Sequence, residues 1–324
     1  MSISSLPNMV FTFLVCLMCW YVGYDLRIGF PVTGSDSTSL IWDVFCGFLT
    51  DRNFVYLAGF SLLLLSASFI QRIHFIFMIV QGKTTLPFLL FFLLNSANPD
   101  FYPIHPGSIA IFLLIFAIFE LFGSYQNPSS TGRIFNLMVS IGVGSLIWPH
   151  LLLFIPVFLI GMYQFRILNT RTFFAGILGL LTVFWFVLGW CVWKSDFTVF
   201  TNLAQCLSEI HIVFTNESRL SVWLKPLFFF FLMIVLLFHI STQESERTIR
   251  TRHFLTFIFM LGFYSFILSL LYAPVFVDFE YLFYLSVSII ASCSLSGNGI
   301  RSYLFYYLLI TLLIGAYILK LWIF

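Results

Sequence analysis

The sequence predicts an all-α integral membrane protein, a polytopic helical bundle of about 11 passes that forms a single domain over residues 1–324. Hydrophobic residues make up 60% of the chain and charged residues only 9%, whereas an ordinary soluble domain carries about 25% charged residues. A soluble protein could not cover its surface with so little charge, but lipid-facing positions need no polar atoms. Long apolar runs also recur along the whole chain.

The predicted passes follow from these apolar runs and from the polar breaks between them. They are 9–24, 54–70, 85–95, 108–122, 134–147, 151–165, 173–193, 226–240, 254–273, 281–294 and 302–320. Residues 1–24 contain no Lys or Arg, and no small-residue cleavage motif follows the first run. We therefore interpret 9–24 as a retained pass and not as a cleavable signal.

Several predicted passes are short for a bilayer. A helix of 14 residues rises about 21 Å, against a hydrocarbon core of about 30 Å. The short passes are 85–95, 134–147, 151–165 and 281–294. The pair 134–147 and 151–165 is a candidate re-entrant hairpin. The short passes predict a water-accessible recess on the outer side, and local thinning of the bilayer is the alternative.

The orientation is predicted from the positions of Lys and Arg. With the N-terminus in the cytoplasm, the cytoplasmic loops hold Arg72, Lys83, Arg133, Arg166, Arg171, Arg247, Arg250, Arg252 and Arg301. The outer side then holds Arg27, Arg52, Lys194, Arg219, Lys225 and Lys320, together with most of the acids. The expected location is the cell inner membrane, with the N-terminus cytoplasmic and the C-terminus periplasmic.

Two outer segments have the pattern of helices that lie in the membrane interface. In 38–51 and in 196–214, apolar residues repeat at helical spacing with polar residues opposite them. Such helices either border a functional site or shield the rim of the bundle.

Asp25 is the first candidate catalytic residue, because it directly follows the first pass. A carboxylate at the outer rim can act as a general base or hold a divalent metal ion; the alternative is a polar residue that ends a helix, paired with Arg27. Asp43, on the polar face of the first interfacial segment, is a candidate for orienting an acceptor or a metal. Arg27 and Arg52 are candidate ligands for a lipid phosphate, because guanidinium groups pair with phosphate bidentately.

The segment 98–107 is the most unusual loop, because three prolines stiffen it. It contributes Asp100 and His105 on the predicted outer side, and His150 lies at the tip of the short hairpin on the same side. If these side chains converge they form an acid–base or metal site; otherwise they cap the rim of the bundle. We predict that Asp25, Asp100, His105 and His150 surround an outer recess. We assign no metal, and the cofactor is unknown.

Motifs of soluble enzymes are absent from the sequence, including nucleotide-binding loops, the zinc-binding His-Glu-x-x-His pattern and the Gly-x-Ser-x-Gly nucleophile turn. The net charge of +2 and the lack of a basic patch give no indication of nucleic-acid binding. Because the predicted cytoplasmic loops are short, we expect membrane lipids, a lipid-linked precursor or other envelope proteins as partners.

The stretch 85–190 resembles an uncharacterised family of multi-pass inner-membrane proteins of the Bacteroidota. The resemblance rests on Asn98-Pro99, on His105-Pro106-Gly107, on Phe165-Arg166 and on Arg171-x-Phe173 before a Gly-rich pass. Members sometimes carry a carotenoid-oxygenase label, but this chain lacks the soluble four-histidine propeller of those enzymes. The family implies the membrane fold and brings no established activity.

The architecture is also similar to that of polyprenyl-phosphate-sugar glycosyltransferases. Those enzymes carry the catalytic carboxylate in the first outer loop, and Asp25 is the matching position. The paired acidic motif common in that group is absent here. The leading hypothesis is an enzyme acting on a lipid-linked envelope precursor at the outer face. The alternatives are a non-catalytic subunit or assembly factor of an envelope complex, and a transporter.

Overall fold

The structure is a computed structural model that describes most of the chain. It covers 6–30, 42, 47, 49–80, 82, 84–208, 227, 230–231, 233–235, 238, 248–272, 275–296 and 300–323. Several residues of the predicted pass 226–240, residues 209–214 of the segment 196–214, and most of the segment 38–51, including Asp43, lie outside the described residues.

The described part of the chain is helical, which confirms the predicted all-α class. Its α-helices are α1 Leu6–Asp25, α2 Arg52–Phe77, α3 Leu86–Ser96, α4 Pro106–Gly123, α5 Thr131–Ile147, α6 Ile155–Gln164, α7 Thr170–Lys194, α8 Thr198–Ser208, α9 Ile249–Leu271, α10 Phe276–Leu295 and α11 Ile300–Ile323. Two 3-10 segments, Pro99–Phe101 and Pro149–Phe154, precede α4 and α6.

Six of these helices are long and apolar enough to cross a bilayer, which identifies the chain as a helical membrane protein. They are α1, α2, α4, α7, α9 and α10. A transmembrane helix must satisfy its backbone hydrogen bonds internally, and apolar α-helices of about 20 residues do so. The predicted number of passes stays a prediction.

Helix α10 lies at the centre of the bundle. Its apolar window is 89% buried, against 22% for α7, and it packs against α3, α4 and α9. Small residues permit this close packing, as they do between membrane helices in general. An example is Gly262 of α9, where an added Cβ would lie 2.6 Å from the Cβ of Ser286.

Helix α7 lies at the periphery, and large aromatic side chains on it are exposed, including Trp185, Phe186 and Trp193. Lipid tails tolerate such a surface, whereas water would not. The opposite side of α7 packs on α5. There a Cβ added to Gly179 would lie 2.6 Å from the carbonyl oxygen of Phe135, so only glycine allows this approach.

Helix α3 has 11 residues and rises about 16 Å, too little to cross the hydrocarbon core alone. The segment 97–105 fills the space beyond its end. Phe101 and Tyr102 are buried; Phe101 packs on the ring of Tyr281 and Tyr102 on that of Trp20. Side chains of the loop therefore occupy the space directly beyond the end of α3, and the predicted water-accessible recess on the outer side stays a prediction.

The hairpin of α5 and α6 has a 3-10 tip. The ten residues of α6 continue the six residues of Pro149–Phe154. Because a 3-10 segment rises about 2.0 Å per residue, the two together reach about 27 Å. The tighter winding thus extends a pass that looked too short when its length was counted in α-helical residues.

The two ends of the bundle carry opposite charge. At the end where the loop 97–105 lies, Tyr56 hydrogen-bonds to the carbonyl of Ile28 and Gly59 contacts the backbone of Tyr102. We call it the acidic end, because its described acids are Asp25, Asp51, Asp100, Asp196, Asp278 and Glu280. The basic end, where Arg133 lies against Gly123 and Arg250 over the ring of Phe77, holds Arg72, Arg133, Arg166, Arg171, Arg250 and Arg252.

The segment 196–214 is helical over its described part, α8, as predicted. This helix adjoins the 3-10 tip of the α5–α6 hairpin. Its Leu207 carbonyl accepts a hydrogen bond of 2.9 Å from the hydroxyl of Tyr272. The helix therefore covers part of the acidic end.

Candidate functional site

The first two turns of α10 and the loop before α4 bring polar side chains together at the acidic end. His105 Nε2 lies 3.3 Å from Asp278 Oδ1, and this is the one ion pair among the described residues. The Asp278 side chain is 11% exposed and that of His105 is 14% exposed. An ionisable pair so enclosed in a membrane bundle is a functional candidate, because burying it is costly.

Gly107 allows Asp278 to approach α4. A Cβ added at this glycine would lie 2.0 Å from Asp278 Oδ1, so any other residue would displace the carboxylate. Asp278 also hydrogen-bonds to the backbone of Gly107, in the first turn of α4. The free N–H groups of a helix N-terminus carry partial positive charge. They compensate the buried carboxylate together with His105.

Both nitrogens of the His105 ring face oxygen atoms. Nδ1 lies 3.2 Å from the carbonyl oxygen of Pro103, and Nε2 faces Asp278. The second contact is not aligned as a hydrogen bond, and Nε2 is closed off from solvent. Both ring nitrogens thus have an oxygen atom nearby that could accept a hydrogen bond from an N–H group.

Glu280, two residues further along α10, forms a second polar group. It accepts a 2.5 Å hydrogen bond from the hydroxyl of Tyr284 and a 3.3 Å hydrogen bond from the amide of Asn98. Asp100 lies near enough to Tyr284 to act on it electrostatically. We call the whole set the α10 cluster; it consists of Asn98, Asp100, His105, Asp278, Glu280 and Tyr284.

The predicted site residues do not include the main acids of this cluster, Asp278 and Glu280. Both precede the predicted pass 281–294 and were expected in an outer loop, but α10 begins at Phe276, so both acids are inside the helix and buried. The apolar-run criterion ends a pass at the first carboxylate, and it cannot see partners that are distant in sequence. The available signal was a pair of acids two residues apart beside an apolar run, a pattern that marks functional sites in membrane helices.

His150 has different neighbours from His105. It is buried and packs against the rings of Trp148, Tyr272 and Phe279, while its Nδ1 has no hydrogen-bond partner. Phe279 follows Asp278 directly, so His150 lies beside the α10 cluster on the aromatic side. Of the predicted set, His105 thus lies against Asp278, and His150 lies in an apolar pocket beside Phe279. The predicted convergence of Asp25, Asp100, His105 and His150 stays a prediction.

Asp25 is exposed at the end of α1, and Arg27 after it is also exposed. Arg52 is already engaged: its guanidinium donates to the carbonyl oxygen of Tyr24 and lies 3.9 Å from the centroid of the Tyr24 ring. These contacts tie the end of α1 to the start of α2. A lipid phosphate at Arg52 would have to compete with them, whereas Arg27 is open to the surface. The catalytic role of Asp25 stays a prediction.

The chemistry available at the acidic end is proton transfer. The α10 cluster combines carboxylates, an imidazole and a phenol, the groups that accept and return protons in enzymes and in proton pathways. Within the described residues, no group of three or more His, Cys, Asp and Glu side chains is placed to hold a metal ion.

Comparison with known proteins found no match among protein families, curated proteins or solved structures.

Proposed function

We propose that this protein is a multi-pass enzyme of the cell inner membrane that transfers a group from a lipid-linked envelope precursor at the outer face. The single observation that carries the proposal is the buried His105–Asp278 pair at the acidic end of the bundle. A carboxylate beside an imidazole stabilises the imidazolium that forms when the ring accepts a proton. Transfer to an acceptor hydroxyl needs such a base.

In the proposed mechanism each member of the pair has its own role. The acceptor oxygen bonds to the transferred group while the bond between that group and the lipid phosphate breaks, and the lipid phosphate leaves with the bonding electrons. The acceptor hydroxyl gives its proton to His105 Nε2, and Asp278 stabilises the resulting imidazolium. Since Nε2 is closed off in this conformation, the loop 97–105 has to move to admit the acceptor, as lids do in many enzymes. Arg27, exposed at the same end, is the candidate for the donor phosphate, and Asp25 is a second candidate base.

A proton-coupled transporter is the second candidate function. The observation that favours it is the occlusion of the pair, with oxygen atoms beside both ring nitrogens. Such a pair stores a proton and does not expose a lone pair to a substrate. However, Asp278 and Glu280 lie in the first two turns of α10, at one end of the bundle, whereas transport sites lie near the midplane.

Lipid analysis in the parent organism tests the enzyme proposal. Deletion of the gene should cause a polyprenyl-phosphate-linked intermediate to accumulate, as measured by mass spectrometry of extracted lipids. His105→Gln and Asp278→Asn, at normal protein abundance, should give the same accumulation. Asp51→Asn is the matched control, because Asp51 caps α2 at the same end and Asn caps a helix equally well.

The outcome decides between the candidates. An unchanged lipid-linked pool in the deletion strain would remove the enzyme proposal, and an accompanying loss of proton-dependent uptake would favour the transporter. If the lipid-linked intermediate accumulates with Asp25→Asn, but with neither His105→Gln nor Asp278→Asn, the catalytic base is Asp25 and not His105.

The proposed orientation places the basic end in the cytoplasm, because cytoplasmic loops carry an excess of Lys and Arg. A reporter that is active only in the cytoplasm should be silent when fused after Phe324. The same reporter inserted in the exposed turn 127–129 at the basic end should be active. Reporter activity after Phe324, together with no activity at 127–129, would show that the orientation is opposite to the proposed one.

A further inference from the structure

A groove runs along the membrane-facing side of the bundle between α5, α6 and α7. Its volume is about 340 Å³, and its lining is apolar apart from Thr172. We propose that this groove holds an acyl chain of an anionic glycerophospholipid, whose phosphate binds Arg166 and Arg171 at the basic end. This site is separate from the α10 cluster and does not depend on the proposed enzyme activity.

The groove is built from residues of contrasting size. Gly176 is at its base, where an added Cβ would lie 3.3 Å from the side chain of Met138. Leu159 and Met162 of α6 form one wall, and Ile177 and Leu181 of α7 form the other. A slot of this shape, open to lipid and lined by aliphatic side chains, fits a hydrocarbon chain.

The charge at one end of the groove selects the headgroup. Arg166 and Arg171 are exposed and belong to the connection between α6 and α7, the two helices that form the walls. Neither forms a salt bridge with an acid in the described part of the chain. Arg171 also lies in the first turn of α7, whose helix N-terminus attracts negative charge. A lipid phosphate bound between Arg166 and Arg171 pairs with both guanidinium groups, while the acyl chain of the same lipid lies along the groove.

A second recess adjoins the same connection. Its volume is about 200 Å³, and it is lined by residues that include Gln126, Gln164, Arg166 and His253. The side-chain oxygen of Gln164 is buried there without a hydrogen-bond partner. A headgroup with hydroxyl donors, such as glycerol, supplies the missing donor, so phosphatidylglycerol is the probe of choice.

Chain contacts alone give little preference, because lipid tails are as apolar as the groove. Selectivity for the anionic lipid must therefore come from the arginines, each worth about fivefold in affinity for an anionic surface. Native mass spectrometry of the purified full-length protein, given equal amounts of phosphatidylglycerol and phosphatidylcholine of the same chains, measures this preference. The wild type should retain phosphatidylglycerol preferentially.

Two variants, each with a matched control, distinguish the contribution of the headgroup contacts to lipid retention from that of the groove. Arg166→Gln with Arg171→Gln should bring the retention ratio close to one, while Arg72→Gln, an exposed arginine at the same end, should leave it unchanged. Leu181→Trp should fill the groove and lower retention of both lipids. Leu178→Trp should not, because Leu178 lies on the same helix with the same 56% exposure but outside the groove.

Four results would overturn the proposal. One is equal retention of the two lipids by the wild type, and another is equal loss of preference with Arg72→Gln. The third is a change in oligomeric mass, instead of lipid count, with Leu181→Trp, which would make the groove a packing surface for another transmembrane helix. A preference for free inorganic phosphate over lipid at Arg166 and Arg171 would likewise exclude the acyl-chain site.

Discussion

Replacement of Gly107 by alanine is expected to lower the free energy of unfolding by about 3 kcal/mol. The new Cβ would lie 2.0 Å from Oδ1 and 2.5 Å from Cγ of Asp278. Because these atoms are buried between α4 and α10, the overlap has to be relieved by moving the Asp278 side chain or by separating the two helices. Either change disturbs the hydrogen bond between Asp278 and the backbone of Gly107 and displaces the carboxylate from His105.

Gly132→Ala is the matched control for Gly107→Ala. Both glycines are the second residue of their helix, α4 and α5 respectively, but a Cβ at Gly132 meets no atom within 4 Å. Alanine is intrinsically the better helix former, so Gly132→Ala should raise stability by about 0.5 kcal/mol. Unfolding by denaturant in a mild detergent measures both changes. Equal effects would mean that α4 and α10 do not meet closely at Gly107.

Replacement of Glu280 by alanine is expected to cost about 3 kcal/mol of stability. The change removes the acceptor of the Tyr284 hydroxyl and of the Asn98 amide inside the bundle. Glu280→Gln keeps one carbonyl oxygen of similar size and position, so it should cost about 1 kcal/mol. The difference in stability between the two variants distinguishes the contribution of the hydrogen bonds from that of side-chain volume.

A double-mutant cycle tests the same contact directly. Glu280→Ala and Tyr284→Phe should couple by about 1.5 kcal/mol, because both remove one shared hydrogen bond. Glu280→Ala and Ser288→Ala should add within about 0.5 kcal/mol, since Ser288 bonds to the carbonyl of Leu285 in its own helix. Additivity in the first pair would show that Tyr284 does not depend on Glu280.

The positions of the long helices could be predicted from sequence because they follow from local composition. An apolar run such as 173–193 has to cross the membrane whatever its neighbours are, and α7 coincides with it closely. The start of α10 could not be predicted in this way. Asp278 and Glu280 are tolerated there only because the loop 97–105 and the start of α4 supply partners, and such tertiary pairing leaves no local pattern.

The packing beyond the end of α3 could not be predicted for a related reason. The length of the predicted helix leaves part of the hydrocarbon core unspanned, but helix length alone does not account for the side chains of the following loop. Phe101 and Tyr102 are large enough to fill the gap and are buried there. For the candidate site, residue type was enough to select His105, whereas its pairing with Asp278 depends on the close approach of α4 and α10 at Gly107.

The central position of α10 has a consequence for how the chain is made. Ribosomes deliver the N-terminal passes first, yet Asn98 finds its partner Glu280 only 182 residues later. At about 5–20 residues per second, the wait is on the order of 10–40 seconds. During that time the polar groups of the loop 97–105 have no α10 against which to pack. Their place at the end of the bundle keeps them within reach of interfacial water, so the nascent protein can remain in the bilayer, incomplete but solvated, until its tenth described helix is inserted.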